Sequence, residues 1–188
     1  MKKHQNSEIK LRKLTSAASL HSNFPRMFKI FRPQYRLLSV LELTPHWLKD
    51  HGIASLLLDV DSTVKQYLKP APEPEVMSWL EEMKQANIGL CLVSNGRGRR
   101  IGKFAESIDV PFVAPAMKPL AIGCRKAIKK MNFDPSTTAM VGDQIFADVV
   151  AANLMGITSI LVKPIRPDLE PLWTRIKRPL EAILLKQE

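Results

Sequence analysis

The sequence predicts an α/β fold, a parallel sheet with helices on both faces. Two observations carry the prediction. From residue 53 onward, short apolar runs alternate with longer stretches whose apolar residues recur at helical spacing. Polar and acidic residues collect where those runs end, as they do where a ligand binds beyond the carboxyl ends of parallel strands.

The elements follow in order. IASLLLDV, from residue 53, is a short apolar run ending in acids and reads as a strand buried on both faces. After the prolines at 70, 72 and 74, residues 74–86 carry Val76, Trp79, Leu80 and Met83 on one helical stripe. IGLCLVSN is the second strand, and RGRRIGKFAESI a helix that turns Ile101, Phe104, Ala105 and Ile108 inward. VPFV is a brief third strand, PLAIGCRKAIKKMNF a helix with a basic outer face, and TTAMVGD the fourth strand. IFADVVAANLMGI is a helix ended by Gly156, ITSILV the fifth strand, and residues 168–186 a last helix broken near Pro179. Repeated βα units of this length imply right-handed crossovers and a five-stranded parallel sheet.

Composition narrows the class. A chain of 188 residues with 45% hydrophobic content has room for a buried core and is not a disordered segment. No apolar run approaches the roughly 18 residues of a membrane span. Cys91 and Cys124 make neither a disulfide framework nor a zinc signature, and His4, His21, His46 and His51 lack metal-ligand spacing. Net charge is +10, but residues 1–50 hold ten Lys/Arg against three acids, so +7 of it lies there. The expected organisation is a basic, partly flexible extension over residues 1–45 and a catalytic domain over 46–188.

The strand ends carry the chemistry. The first delivers Asp59 and Asp61, which alternation along an extended backbone points to the same side. The second delivers Ser94 and Asn95; Lys118 precedes the third helix; the fourth strand delivers Asp143, with Asp148 five residues on. Clustered carboxylates repel unless a cation sits among them, and Mg²⁺ suits oxygen ligands that leave several waters in place. A lysine and a serine hydroxyl beside such a metal suit a phosphoryl group, with one free carboxylate placed to attack in line. Each signal is weak alone, since acids often cap strands and a serine often caps a helix. Their joint occurrence at successive strand ends is what points to a site.

The motifs DVDST, VSN, KP and GDQIFAD, in that order, resemble the four motifs of the haloacid dehalogenase (HAD) superfamily of phosphatases. The resemblance covers about residues 40–165. The SN after the second strand, the AMKP segment and the stretch GDQIFADVVAANLMGITSILVKPI are similar to the YqeG-like branch, which includes phosphatidylglycerophosphate phosphatases. It implies a Rossmann-like HAD fold and Mg²⁺-dependent hydrolysis of a phosphomonoester through an aspartyl-phosphate. By resemblance Asp59 is the nucleophile, and Asp61 is the acid that protonates the leaving alcohol and the base that then activates water. Thr63 braces the loop, Ser94, Asn95 and Lys118 hold the phosphoryl group, Asp143 binds Mg²⁺ with Asp59 and the Asp61 carbonyl, and Asp148 orients Lys118 or a metal water. Ser62 departs from the branch, where an acid or Asn is commoner, and is expected only to tune the loop.

The gaps of 33 positions between Asp61 and Ser94 and 25 between Lys118 and Asp143 are filled by one helix and one strand each. No sizeable cap domain fits, so the site admits something large or surface-bound, or uses a partner subunit of a homo-oligomer as a lid. In FPRMFKIF, residues 24–31, Phe24, Met27, Phe28 and Phe31 share one helical face and Arg26 and Lys29 another. That is an interfacial signature, with packing of the aromatics onto the domain as the alternative. Residues 1–22 read as a tail. The expected partners are a phosphorylated substrate, an anionic lipid favoured over a soluble or macromolecular phosphomonoester, and a membrane surface met through residues 24–36. The expected place is cytoplasmic, at the inner face of the membrane. A receiver-like regulator is disfavoured because VPFV ends without Asp. Specific nucleic-acid binding is disfavoured because no binding motif accompanies the basic residues.

Overall fold

Three consecutive leucines, Leu56, Leu57 and Leu58, are each fully buried because the strand that holds them has helices on both of its faces. A computed structural model describes residues 26–186. Phe24, the tail at 1–22 and the side chains of Met27 and Phe28 lie outside the described residues.

The strands are β1 (Tyr35–Leu37), β2 (Ser55–Leu58), β3 (Gly89–Val93), β4 (Phe112–Val113), β5 (Thr138–Gly142) and β6 (Thr158–Val162). The helices are α1 (Pro45–Asp50), α2 (Pro74–Gln85), α3 (Gly98–Ser107), α4 (Ile122–Met131), α5 (Val150–Met155) and α6 (Leu172–Lys186), with a π-helical turn at Ile145–Val149 leading into α5. All strand pairs are parallel, in the order β1-β6-β5-β2-β3-β4. Side-chain alternation sorts the core: Leu56 and Leu58 pack with Trp79, Leu80, Ile101 and Phe104 of α2 and α3. Leu57 packs on the other face with Cys124, Ala127 and Ala151 of α4 and α5. Each buried leucine contributes about 2 kcal/mol. Both cysteines are free and buried, in the same layer.

Among the described residues the sheet has six strands, not the five expected. The extra strand, β1, comes from the N-terminal side of residue 45 and joins the edge of the sheet by pairing Tyr35–Leu37 with Ile160–Val162. Its neighbours are equally embedded. Val40 and Leu43 are fully buried, and Trp79 Nε1 donates to the Leu43 carbonyl at 2.9 Å. In the short helix Arg26–Phe31, the Phe31 ring meets Phe146 edge-on at 5.5 Å, and Asn153 Nδ2 donates to the carbonyls of Ile30 (2.8 Å) and Arg32 (2.9 Å). Phe31 therefore takes the packed alternative.

The last helix also differs from expectation. It runs through Pro179 unbroken, because Arg178 and Glu181 on either side of it are tied into buried ion pairs. Those contacts outweigh the hydrogen bond that a proline inside a helix removes. Neither gap in the site sequence holds an inserted domain, so among the described residues no cap domain covers the carboxyl edge of the sheet. No helix among the described residues is long and apolar enough to cross a membrane.

Candidate active site

The carboxyl edge of the sheet is where the chain's polar residues meet. Asp59 directly follows β2, and its N–H donates to the Val141 carbonyl at 2.9 Å, so sheet pairing carries rigidity up to it. Lys118, buried between β4 and α4, donates from Nζ to Asp59 Oδ1 at 2.6 Å and to Asp148 Oδ1 at 2.7 Å. Asp59, Asp143 and Asp148 are all buried, and each offers a carboxylate oxygen within 4.8 Å of the others.

Gly142 is what lets Asp148 reach in. A Cβ at that position would stand 2.2 Å from Asp148 Cγ. Asp148 comes off the π-helical turn that follows β5, and its Oδ2 accepts the Gln144 N–H at 3.1 Å. Asp143 is gripped at both oxygens. Thr63 Oγ1 donates to Oδ1 at 3.1 Å, and Arg178 of α6 donates from Nη2 to Oδ2 and from Nη1 to the Asp143 carbonyl at 2.6 Å. The same guanidinium serves Glu170 (Nε to Oε2, 3.0 Å) and Glu181 (Nη1 to Oε2, 3.1 Å).

Burial and charge set the electrostatics. Burial pushes Asp59 up to about 7; the Lys118 ammonium opposes this and the Asp148 carboxylate adds to it. Asp143 is likewise raised well above the usual carboxylate value by burial, against the pull of Arg178. Lys118 is raised although its burial acts the other way, because the carboxylates of Asp148 and Asp59 outweigh that burial. Five buried carboxylates, Asp59, Asp143, Asp148, Glu170 and Glu181, share only Lys118 and Arg178, which leaves negative charge uncompensated. Hard oxygen donors in that state fit a divalent cation such as Mg²⁺.

Asp61 stands apart from that cluster. Its Oδ1 accepts from Lys65 Nζ at 3.0 Å and Arg100 Nη1 at 2.9 Å, and Arg100 Nη2 pairs with Oδ2. Burial alone would raise its pKa, but hydrogen bonds from Arg100 and the charge of Lys65 lower it below the ordinary value. Ser94, at the end of β3, is buried and its Oγ accepts the Gly96 N–H at 3.1 Å. Asn95 braces the Lys118 loop: its Nδ2 donates to the Lys118 carbonyl and its Oδ1 accepts the Lys118 N–H, both at 2.8 Å. Ser62 holds φ +68°, a left-handed backbone that Asn and Asp tolerate best.

Sequence reasoning did not find Lys65, Glu170, Arg178 or Glu181. Lys65 lies four residues after Asp61, a spacing that hints at a pair. Arg178 is 35 residues from Asp143 and carries no local signal.

An aspartate cluster on the uncapped edge of a parallel sheet, with a lysine between two of its carboxylates, defines a hydrolase of the HAD kind. The chain belongs to the haloacid dehalogenase-like hydrolases, whose family description matches residues 7–156. It is 31% identical over 157 residues to the Bacillus subtilis (strain 168) protein named "Probable phosphatase YqeG", covering 84% of this chain and 91% of that protein. It is 26% identical over 149 residues to the Arabidopsis thaliana "Phosphatidylglycerophosphate phosphatase 1, chloroplastic/mitochondrial", covering 74% of this chain and 43% of that longer protein. A crystal structure of an uncharacterized protein from Listeria monocytogenes serotype 4b superposes with TM-score 0.49 at 17% identity, covering 72% of this chain and 100% of that one.

Proposed function

We propose that this phosphatase hydrolyses a lipid-borne phosphomonoester, phosphatidylglycerophosphate, in phospholipid synthesis, with Mg²⁺ and through an aspartyl-phosphate on Asp59. The observation that carries the mechanism is Asp59 buried at the end of β2, 2.6 Å from Lys118 Nζ and clustered with Asp143 and Asp148. The lipid substrate is supported by the uncapped edge and by the similarity to a protein named for that activity.

Asp59, Asp143 and the Asp61 carbonyl would hold Mg²⁺, with Asp148 beside them; when bound, the ion neutralises phosphoryl oxygens and compensates the buried acids. An Asp59 carboxylate oxygen attacks phosphorus as the bond from phosphorus to the alcohol oxygen breaks. Lys118 and Ser94 hold the phosphoryl oxygens in line. The Asp61 carboxyl donates its proton to the departing alcohol. As carboxylate it then takes a proton from water, whose oxygen attacks phosphorus and releases Asp59. The incoming phosphate competes with Asp61 for Arg100 and Lys65, which raises the Asp61 pKa toward the value an acid needs.

The test is a hydrolysis screen of phosphatidylglycerophosphate beside soluble sugar and nucleotide phosphates, with and without Mg²⁺. The lipid is expected to be turned over best, only with Mg²⁺, and not by Asp59→Asn. Preference for a soluble phosphate overturns the substrate, and turnover by Asp59→Asn overturns the mechanism.

A further inference from the structure

The exposed apolar side chains of this chain are not scattered. Among the described residues, Leu38, Leu68, Met117 and Leu120 are strongly exposed, and each lies in a loop that directly leaves the carboxyl end of a strand. That is the edge of the sheet that carries Asp59 and Lys118. Leu68, in the loop after Asp61, is 69% exposed, and Met117, next to Lys118, is 54% exposed. Both hold a left-handed backbone, with φ of +62° and +59°. Bulky residues rarely adopt that conformation, and its cost is retained where function requires it.

Helix α6 shows the same bias more strongly. A surface helix ordinarily turns its apolar stripe to the core. Here Thr174, Arg178 and Glu181, at helical spacing, face inward toward the acidic cluster. Trp173, Ile176 and Leu180, on the opposite face, are 68%, 64% and 56% exposed. Exposed Arg175 and Lys177 flank that stripe, while Glu170 and Glu181 are buried. The outward face is thus apolar with a basic border, the composition of a helix that lies in a membrane interface. The basic border also argues against a second copy as the occupant, because pairing two such faces would bring like charges together.

We propose that the catalytic edge, led by the outward face of α6, docks on an anionic lipid bilayer and brings the open site to phosphomonoesters in the headgroup layer. The inference rests on the lipid-substrate reading and adds the surface that reaches the lipid. It moves the main contact away from residues 24–36, where Phe31 is already packed on Phe146. The polar side of the same helix holds Asp143 through Arg178, so docking surface and acidic cluster are two faces of one element.

Vesicle flotation of the full chain tests this, with phosphatidylcholine alone and with phosphatidylglycerol added. Flotation is expected only with the anionic vesicles, weakening as salt screens the attraction. Of the three tryptophans, Trp47 and Trp79 are buried. A blue shift and shielding from acrylamide on vesicle addition therefore report Trp173 in the unaltered protein. The double substitution Trp173→Glu, Ile176→Glu is expected to lower vesicle affinity at least about tenfold, with the thermal transition kept. Wild-type protein that ignores anionic vesicles, a double variant that floats as wild type does, or Trp173 unshielded on bound vesicles would each overturn the proposal. So would light scattering that shows a dimer, split by the double substitution, with no vesicle binding. Wild-type hydrolysis of a soluble aryl phosphate, measured without vesicles, separates the two readings. Turnover without docking overturns this inference alone, and docking without turnover overturns the phosphatase mechanism.

Discussion

The two flanks of Asp59 are built on opposite charge balances. On the β3 side, two cations, Lys65 and Arg100, hold the single carboxylate of Asp61. On the β6 side, one cation, Arg178, is shared among Asp143, Glu170 and Glu181. The first flank opens to solvent at Arg100, with 37% of its side chain exposed, whereas in the second Asp143, Glu170 and Glu181 are buried and Arg178 keeps 19%. Its surplus of cations suits the first flank to a phosphate dianion, and its surplus of carboxylates suits the second to a metal ion. Asp59 lies between, so an attacking oxygen there would meet both. Two aspartates only two positions apart are therefore driven in opposite directions, Asp59 upward by burial and Asp61 downward by its cations.

The largest expected effect comes from removing the residue both flanks serve. Asp59→Asn should lower phosphatase activity by at least about a thousandfold, measured as Mg²⁺-dependent phosphate release. The pKa of Asp59 is raised in the fold, so its carboxylate costs stability above the unfolded value of 3.8, increasingly up to about pH 7. The thermal transition of the variant at neutral pH should accordingly be no lower than that of wild type.

Breaking the acid-rich flank comes next. Arg178→Gln leaves three carboxylates without their shared cation, a loss of about 3 kcal/mol, read as a lower urea midpoint. It should also shift the Mg²⁺ concentration for half-maximal activity. An unchanged midpoint and Mg²⁺ response would mean that α6 does not hold the cluster. Gly142→Ala disturbs the same flank more gently. The added Cβ pushes Asp148 away from Lys118 at about 1–3 kcal/mol of overpacking, and activity should fall by about a hundredfold.

The smallest effect is expected on the cation-rich flank. Arg100→Gln removes a partly exposed pair worth about 1 kcal/mol or less. Its signature is in the pH dependence. Asp61 has a folded-state pKa below 3.8, so its pairing stabilises the fold above that value, and the contribution is lost as pH falls through the folded-state pKa. In the variant the acid-linked loss should be smaller and complete at a higher pH, seen as a shallower acid limb in stability. A wild-type acid limb in Arg100→Gln would place the control of Asp61 on Lys65 instead.

Buried apolar runs, helical stripes and polar strand ends are local properties of the chain. They therefore let the sequence by itself determine the α/β class, the parallel βα order from residue 53 and the residues that gather at the carboxyl edge. Alternation in a strand and the regular βα repeat place Asp59, Ser94, Lys118 and Asp143 there with little help from context. What spans long separations was decided only by tertiary structure. Strand β1 is three residues long in a basic segment and becomes a strand because the open edge of β6 offers it hydrogen bonds. Pro179 stays inside α6 because buried ion pairs hold the helix on both sides of it. The Arg178–Asp143 grip and the outward turn of Trp173 and Ile176 follow from where α6 docks. Helical periodicity shows which residues share a face, and packing alone decides which face meets the core.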